Sequence, residues 1–202
     1  FAATFSNDIR RLAKGLVNDP VEISVTPRNT PAKTVKQCIH PVDKMKKTKL
    51  LIHLIKDKEW NRVLVFSKTK RGANRLVKNL EGAKINAAAI HGNKSQSART
   101  KALAGFKAGR INILVATDIA ARGIDIVQLP QVVNFDLPNV PEDYIHRGRT
   151  GRAGLTGFAV SLVSADEFNL LSDIERLTQI LLERITIEGF VQIGRASCRE
   201  RV

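Results

Sequence analysis

Three arginines fall within six residues in the run His146-Arg147-Gly148-Arg149-Thr150-Gly151-Arg152-Ala153-Gly154. Guanidinium forks match phosphate oxygens in pairs, and interleaved glycines let the backbone come close to a ligand. An arginine aimed at a transferring phosphoryl group stabilises the charge of its transition state. The competing interpretation is a solvated basic turn of a nucleic-acid binder. A second run, Ala116-Thr117-Asp118-Ile119-Ala120-Ala121-Arg122-Gly123-Ile124-Asp125, carries carboxylates suited to ribose hydroxyls, with Thr117 and Arg122 suited to phosphates. As local structure alone it is an N-cap at Asp118 and a turn at Gly123. A third, His91-Gly92-Asn93-Lys94-Ser95-Gln96-Ser97-Ala98-Arg99, opens a helix whose N-terminus is either an anion site or a plain cap. A fourth, Val65-Phe66-Ser67-Lys68-Thr69, ends a strand with a hydroxyl placed to touch a phosphate.

Some chemistry is missing from the sequence. It contains no G-x-x-x-x-G-K-[ST] loop to cradle α- and β-phosphates. No acidic pair follows a strand to hold Mg²⁺, and no Ser/His/Asp or Cys/His arrangement is visible, so no metal ligands are assigned. His91 and His146 sit in the clusters; His40 and His53 read as structural or exposed.

The elements that must position these clusters alternate. Strands are expected at Val35–His40, Arg62–Ser67, Asn86–Ile90, Ile111–Thr117, Val132–Asp136 and Phe158–Val163. Helices are expected over a Lys-rich segment capped by Asp43 with Leu51, Leu54 and Ile55 inside, over 70–81, over 96–107 with a stop at Gly109, and from Pro141. Ser164 and Glu167 spell a capping box for a helix running to about 180. Continuous apolar strands alternating with helices imply an α/β fold whose mostly parallel sheet is covered on both faces. Ligands on such sheets bind beyond the carboxyl ends of the strands. The four clusters follow Ser67, Ile90, Thr117 and Asp136, where those ends are expected.

Residues 7–17 carry Ile9, Leu12, Ala13 and Leu16 at amphipathic helical spacing, and 18–34 are polar and proline-punctuated. Residues 193–202 are neither periodic nor capped and read as a non-native tail. The chain opens at Phe1 rather than Met, so a longer protein upstream is expected. No apolar run approaches the roughly 18 residues of a membrane span. Two distant cysteines, Cys38 and Cys198, make neither a disulfide framework nor metal spacing, which predicts a reducing, cytoplasmic setting. Lys and Arg total 33 against 19 Asp and Glu, a net charge of +14, with pI near 10.2. That balance points to a polyanionic partner, nucleic acid first among them.

The four clusters resemble, in order and in spacing, motifs of the DEAD-box ATP-dependent RNA helicases. VFSKT resembles motif IV, Gln96-x-x-Arg99 the RNA-contacting Q-x-x-R element, ATDIAARGIDI motif V, and HRGRTGR motif VI. Ala2-Ala3-Thr4 stands where the family has Ser-Ala-Thr, motif III. The stretch from Phe1 to about Phe190 is similar to the bacterial RhlE-type branch. The resemblance implies a RecA-like three-layer sandwich, the helicase C-terminal domain, over 35–190. It makes 1–17 the tail end of a first RecA-like domain, carrying motif III and the following helix, and 18–34 the interdomain linker. Arg149 and Arg152 resemble arginine fingers that reach the ATP γ-phosphate, and His146 and Arg147 the pair that helps couple two domains. Asp125 resembles the aspartate that holds the ATP ribose, with Gly123 beside it on the cofactor side. Thr69, Gly92, Gln96, Arg99 and Thr117 match positions that touch the RNA backbone. Arg122, also on the RNA side, and Asp118 resemble the motif V residues that organise the cleft. ATP, with Mg²⁺ held by the preceding N-terminal RecA-like domain, and RNA bound with low sequence specificity are the implied ligands. Two departures stand out. Ala2 replaces the family's serine, and motif VI is one residue shorter than HRIGRTGR; on a helical turn that rotates everything after it by about 100°. The rival functions are a non-catalytic RNA-binding module, a DNA helicase of the wider superfamily, and a partner-binding domain that retains only the fold.

Overall fold

The apolar runs become strands. The computed structural model describes residues 35–121, 129–147 and 157–190, together with Arg11, Gly15 and Leu16. Those last three are helical, in keeping with the periodicity of 7–17. The rest of that segment, the linker 18–34 and the tail 193–202 lie outside the described residues.

In chain order the elements are β1 (Val35–Pro41), a 3₁₀ turn (Lys44–Lys46), α1 (Lys47–Asp57), β2 (Val63–Phe66), α2 (Lys70–Gly82), β3 (Ala87–Ile90), α3 (Gln96–Lys107) and β4 (Ile113–Ala116). There follow α4 (Asp118–Ala121), β5 (Gln131–Asn134), α5 (Pro141–Arg147), β6 (Gly157–Val163), a 3₁₀ turn (Ala165–Glu167), α6 (Phe168–Thr178) and β7 (Glu183–Arg184). The sheet order is β3-β4-β2-β5-β6-β1-β7, and every pair is parallel. The α/β prediction therefore holds, and the sheet is wholly parallel among the described residues.

The connections decide which face each helix covers. Crossovers between parallel strands are right-handed, so reversing the direction of travel along the sheet moves the helix to the other face. The chain steps one way from β1 to β2 to β3 and then returns through β4, β5 and β6. Accordingly α1 and α2 pack Leu50, Leu51, Leu54, Ile55, Ala73, Leu76 and Leu80 on Val63, Val65, Ile113 and Val115. The alternate strand residues Leu64, Phe66, Leu114 and Ala116 meet Ala102 and Phe106 of α3 on the opposite face. There α5 and α6 cover β1 and β6 through Tyr144, Leu171 and Ile174 on Ile39 and Val163. Full burial of a leucine contributes roughly 1.5–3 kcal/mol, so each helix is held mainly by its inward stripe.

The helix ends show where local rules held. Ser164 N–H donates to Glu167 Oε2 at 3.1 Å within the expected capping box. Gly109, at φ +74°, ends α3 as expected, with Gly109 N–H on Phe106 O (3.2 Å) and Arg110 N–H on Gly105 O (2.9 Å). Asp43 does not cap α1. It precedes the separate 3₁₀ turn, makes no side-chain cap, and turns its carboxylate to Lys46 Nζ at 3.9 Å. The helix expected to reach about 180 stops at Thr178 because Gln179 adopts a left-handed conformation, φ 55°. The short strand β7 carries no sequence signal and forms by pairing with Cys38 and Ile39.

Candidate functional site

One cross-strand row sets the geometry of the site. Ile90 pairs with Ala116, Ala116 with Phe66, Phe66 with Asn134, and Asn134 with Ser161. Four strands thus end level, and the next residues, His91, Thr117, Ser67 and Phe135, all leave the sheet from the same edge. Backbone bonds tie the exits together: Ser67 N–H donates to Ala116 O (3.0 Å), Thr117 N–H to Ile90 O (3.2 Å) and Phe135 N–H to Phe66 O (3.0 Å). The described parts of three sequence clusters, Ser67–Thr69, His91–Arg99 and Thr117–Asp118, meet along one rim because parallel strands share a carboxyl edge.

Two helix N-termini open onto this rim. Thr69 caps α2, its Oγ1 accepting from Gly72 N–H at 2.9 Å, and Ser95 caps α3, accepting from Ala98 N–H at 3.2 Å. The Thr69 oxygen keeps its own proton to donate outward, and the first-turn amides favour an anion. His91 is buried and locked: its Nδ1 accepts from Asn93 N–H (3.3 Å), which leaves Nε2–H to donate to Asn74 Oδ1 (3.0 Å). Burial, then the cations of Lys94 and Lys70, push its pKa below the usual value, which suits the neutral ring this bonding needs. Among the described residues nothing demands glycine at 92, since an added Cβ would meet Lys70 Cε at 3.7 Å and Nζ at 3.8 Å, ordinary contacts with a flexible side chain. Its bare backbone lies on the exposed side of the loop. Arg99 Nη1 donates to Gln96 Oε1 at 3.1 Å, so the Q-x-x-R pair forms one unit, and Arg99 Nε has no partner among the described residues. Thr69, Gly92, Gln96, Arg99 and Thr117 therefore lie on one rim.

Arg147 is the centre of the polar network behind that rim. Its Nε and Nη2 grip Asp118 Oδ1 and Oδ2 at 2.6 and 2.7 Å, while Nη1 donates to Asp136 O (2.6 Å) and Asn134 Oδ1 (3.3 Å). Its guanidinium lies 4.8 Å from the centre of the Phe66 ring. The side chain is 2% exposed and that of Asp118 28%. All these contacts are internal, so Arg147 points into the domain rather than across its edge. It ties the loop after β4 to the loop after β5 and to α5. His146, one residue earlier, is half-buried. Arg147 holds this partnered position as the last residue of α5. Arg149, Arg152, Arg122, Gly123 and Asp125 lie outside the described residues.

Three members of the network carried little signal in the sequence. Asp136 accepts from Ser67 Oγ (3.1 Å) and Lys68 N–H (2.8 Å), joining the loops after β2 and β5. Asn134 donates to Ser161 Oγ at 3.0 Å inside the sheet; a polar residue ending the run Val132-Val133-Asn134 was the available clue. Lys47, buried at the start of α1, donates to Phe135 O (2.9 Å) and pairs with Glu167. Glu167 also accepts from Leu137 N–H at 3.0 Å. A single carboxylate thereby caps a helix and braces the loop after β5.

A family model described as helicase conserved C-terminal domain matches residues 46–154. The ATP-dependent RNA helicase RhlB of Pseudomonas syringae pv. tomato is 43% identical over 176 residues, covering 87% of this chain and 44% of that protein. The chain spans about a third to a half of the length of the curated relatives it matches. Among solved structures, the E. coli DEAD-box protein SrmB, bound to regulator of ribonuclease activity A, superposes with a TM-score of 0.77 at 37% identity, covering 83% of this chain and 100% of that one. S. cerevisiae Dbp5, solved with RNA and ADP BeF3, gives a TM-score of 0.85 at 32% identity, covering 92% of this chain and 50% of that one. With its motifs in order, its strands in a parallel RecA-like sheet and these likenesses together, the chain belongs to the helicase conserved C-terminal domain family and, within it, to the DEAD-box proteins.

Proposed function

We propose that this chain supplies the C-terminal half of an ATP-dependent RNA helicase, binding the RNA backbone and completing an ATP pocket whose other wall is a preceding RecA-like domain. The observation that carries this is the level row Ile90-Ala116-Phe66-Asn134-Ser161, which gathers the hydroxyl of Thr69, the bare backbone of Gly92, the Gln96–Arg99 pair and Thr117 on one rim. These groups donate hydrogen bonds or carry positive charge, and none reads base edges in a fixed fork, so recognition is of phosphate and ribose. The relative Dbp5, solved with RNA and ADP BeF3, supports the same pair of ligands.

The donor set fits a nucleotide phosphate. Arg147 is fully engaged inside the domain, so it anchors the point from which Gly148 and the arginine-rich run depart. Arg149 and Arg152 are assigned to the γ-phosphate, Asp125 with Gly123 to the ribose side, Arg122 to the RNA side of the cleft, and His146 to coupling between the two domains. Bound ATP would supply the phosphoanhydride whose cleavage the helicase uses. Among the described residues no three His, Cys, Asp or Glu side chains gather as metal ligands, and Mg²⁺ is assigned to the preceding domain. The chain's own contribution is to hold the RNA strand on its rim and to present guanidinium charge across the cleft.

The absence of a phosphate loop from the sequence favours one alternative, a non-catalytic RNA-binding module. An ATPase and RNA-binding assay of the chain by itself separates the possibilities. No turnover and salt-sensitive RNA binding are expected; turnover by this chain alone would refute the need for a second domain. In a protein completed with the preceding domain, Arg149→Ala or Arg152→Ala should cut turnover by about 10³ or more. Unchanged turnover there would leave the non-catalytic module. The RhlE-type placement rests on the wording of the motifs between Phe1 and about Phe190, and relatives reported above carry other names. A cytoplasmic location rests on the cysteine pattern, with Cys38 a free thiol. No helix among the described residues is long and apolar enough to cross a membrane.

A further inference from the structure

The outer face of α2 carries a stripe of cations that no motif accounts for. From Lys68 to Leu80 the chain holds Lys68, Lys70, Arg71, Arg75 and Lys78 and no carboxylate. Arg71, Arg75 and Lys78 lie within about 60° of one another around the helix, opposite the buried Ala73, Leu76 and Leu80, and all three are exposed. Among the described residues none of them has a carboxylate at ion-pair distance. The stripe begins beside Thr69 and runs about 10 Å away from the rim at 1.5 Å per residue.

The arrangement works against the helix that carries it. Cations in the first turn oppose the helix dipole, and α2 has no acidic residue there to compensate. Arg71 and Arg75 are a like-charge pair at i, i+4, which destabilises an isolated helix. A stripe kept at a cost to its own element, unpaired and continuous with a phosphate-binding rim, has the charge of a polyanion's seat. Lys70 Nζ, held on Asn93 Oδ1 at 2.6 Å, joins it to the Gly92 loop.

We infer that Arg71, Arg75 and Lys78 form an extension of the RNA track, taking the phosphates of nucleic acid that continues past Thr69 and Gly92. This rests on the RNA-binding role proposed above and adds a direction of exit and a longer footprint.

The test compares the chain with its Arg71→Gln/Arg75→Gln/Lys78→Gln variant, using a single-stranded RNA of about six nucleotides and one of about thirty. For the long RNA, three lost phosphate contacts should lower the slope of log affinity against log salt by about 2, and affinity at low salt by about tenfold or more. Binding of the short RNA should hardly change. A control variant, Lys36→Gln/Lys49→Gln/Lys56→Gln, removes equal charge from β1 and α1 and should leave the long-RNA slope within about 0.5. Thermal melting of the triple variant should match the parent or exceed it, because only repulsion is removed. An unchanged long-RNA slope, or an equal effect of the control, overturns the inference. So does a variant that keeps RNA binding and loses binding to poly-glutamate, which would assign the stripe to an acidic protein. If the parent chain binds neither RNA, the RNA-binding role itself fails and takes this extension with it.

Discussion

Replacing Arg147 by alanine tests the core of the geometric argument. The substitution removes two charge-assisted bonds to Asp118, two further bonds to Asn134 and Asp136, and the guanidinium stacked on Phe66. Breaking a buried ion pair by deleting one partner costs about 3–5 kcal/mol, because the other charge is left uncompensated. The Asp118 side chain is 28% exposed and can regain some hydration, which places the loss near 3 kcal/mol. Against a stability of roughly 5–15 kcal/mol, that lowers Tm by about 6–12 °C. Arg147→Lys should recover little, since an ammonium cannot span Asp118 and the Asp136 carbonyl as a planar fork does. Urea unfolding of Arg147→Ala, Asp118→Ala and the double variant closes the cycle, with an expected coupling of about 1–3 kcal/mol. A loss below about 1 kcal/mol for Arg147→Ala, or strictly additive single variants, would show that the arginine faces water. The rim would then lack the anchor from which the arginine-rich run departs.

Other outcomes follow from the same structure. Thr69→Ala should cost about 1 kcal/mol in urea melts through loss of the α2 cap, while Thr69→Ser stays near neutral. In RNA titrations the same alanine variant should also bind more weakly. Lys47→Met strands Glu167 and should cost about 3 kcal/mol, with a second change, Glu167→Gln, restoring part of it. For His40, burial pushes the pKa below the usual 6.5, and Nδ1 lies 2.6 Å from Ile185 O, where the neutral ring donates. The unfolded chain therefore takes up the proton first, so this contribution is present above pH 6.5 and is lost as pH falls below it. Hydrogen exchange of the amides over 183–187 should accelerate between about pH 7 and 5, and His40→Gln should flatten that dependence.

The central strands were legible because they are apolar on both faces: Arg62–Ser67 and Ile111–Thr117 advertise a buried parallel sheet within a few residues. So were the stop at Gly109 and the box at Ser164 and Glu167, where one side chain or one missing Cβ decides the local backbone. The ends of other helices were not. Glu59, Lys84 and Gln179 take positive φ without being glycine, and only packing around them makes that conformation worthwhile.

The site divides along the same line. The sequence alone placed the turns after Ser67, Ile90 and Thr117 at strand ends, because strand endings and turn residues are local features, while the resemblance singled out Thr69, Gly92, Gln96, Arg99 and Thr117 around them. Residue types and spacing could not show that Arg147 turns inward, since three arginines in one run look alike. The partner that draws one of them inward, Asp118, lies 29 residues away, and Lys47 meets Glu167 across 120. Nor could they show that β2 lies between β4 and β5, which brings the exits level. Propensity acts over a turn or a strand, whereas desolvated charges find partners only when the whole chain has closed around them. Which cations reach out for phosphate, and which hold the rim in place, is therefore a property of the folded sheet.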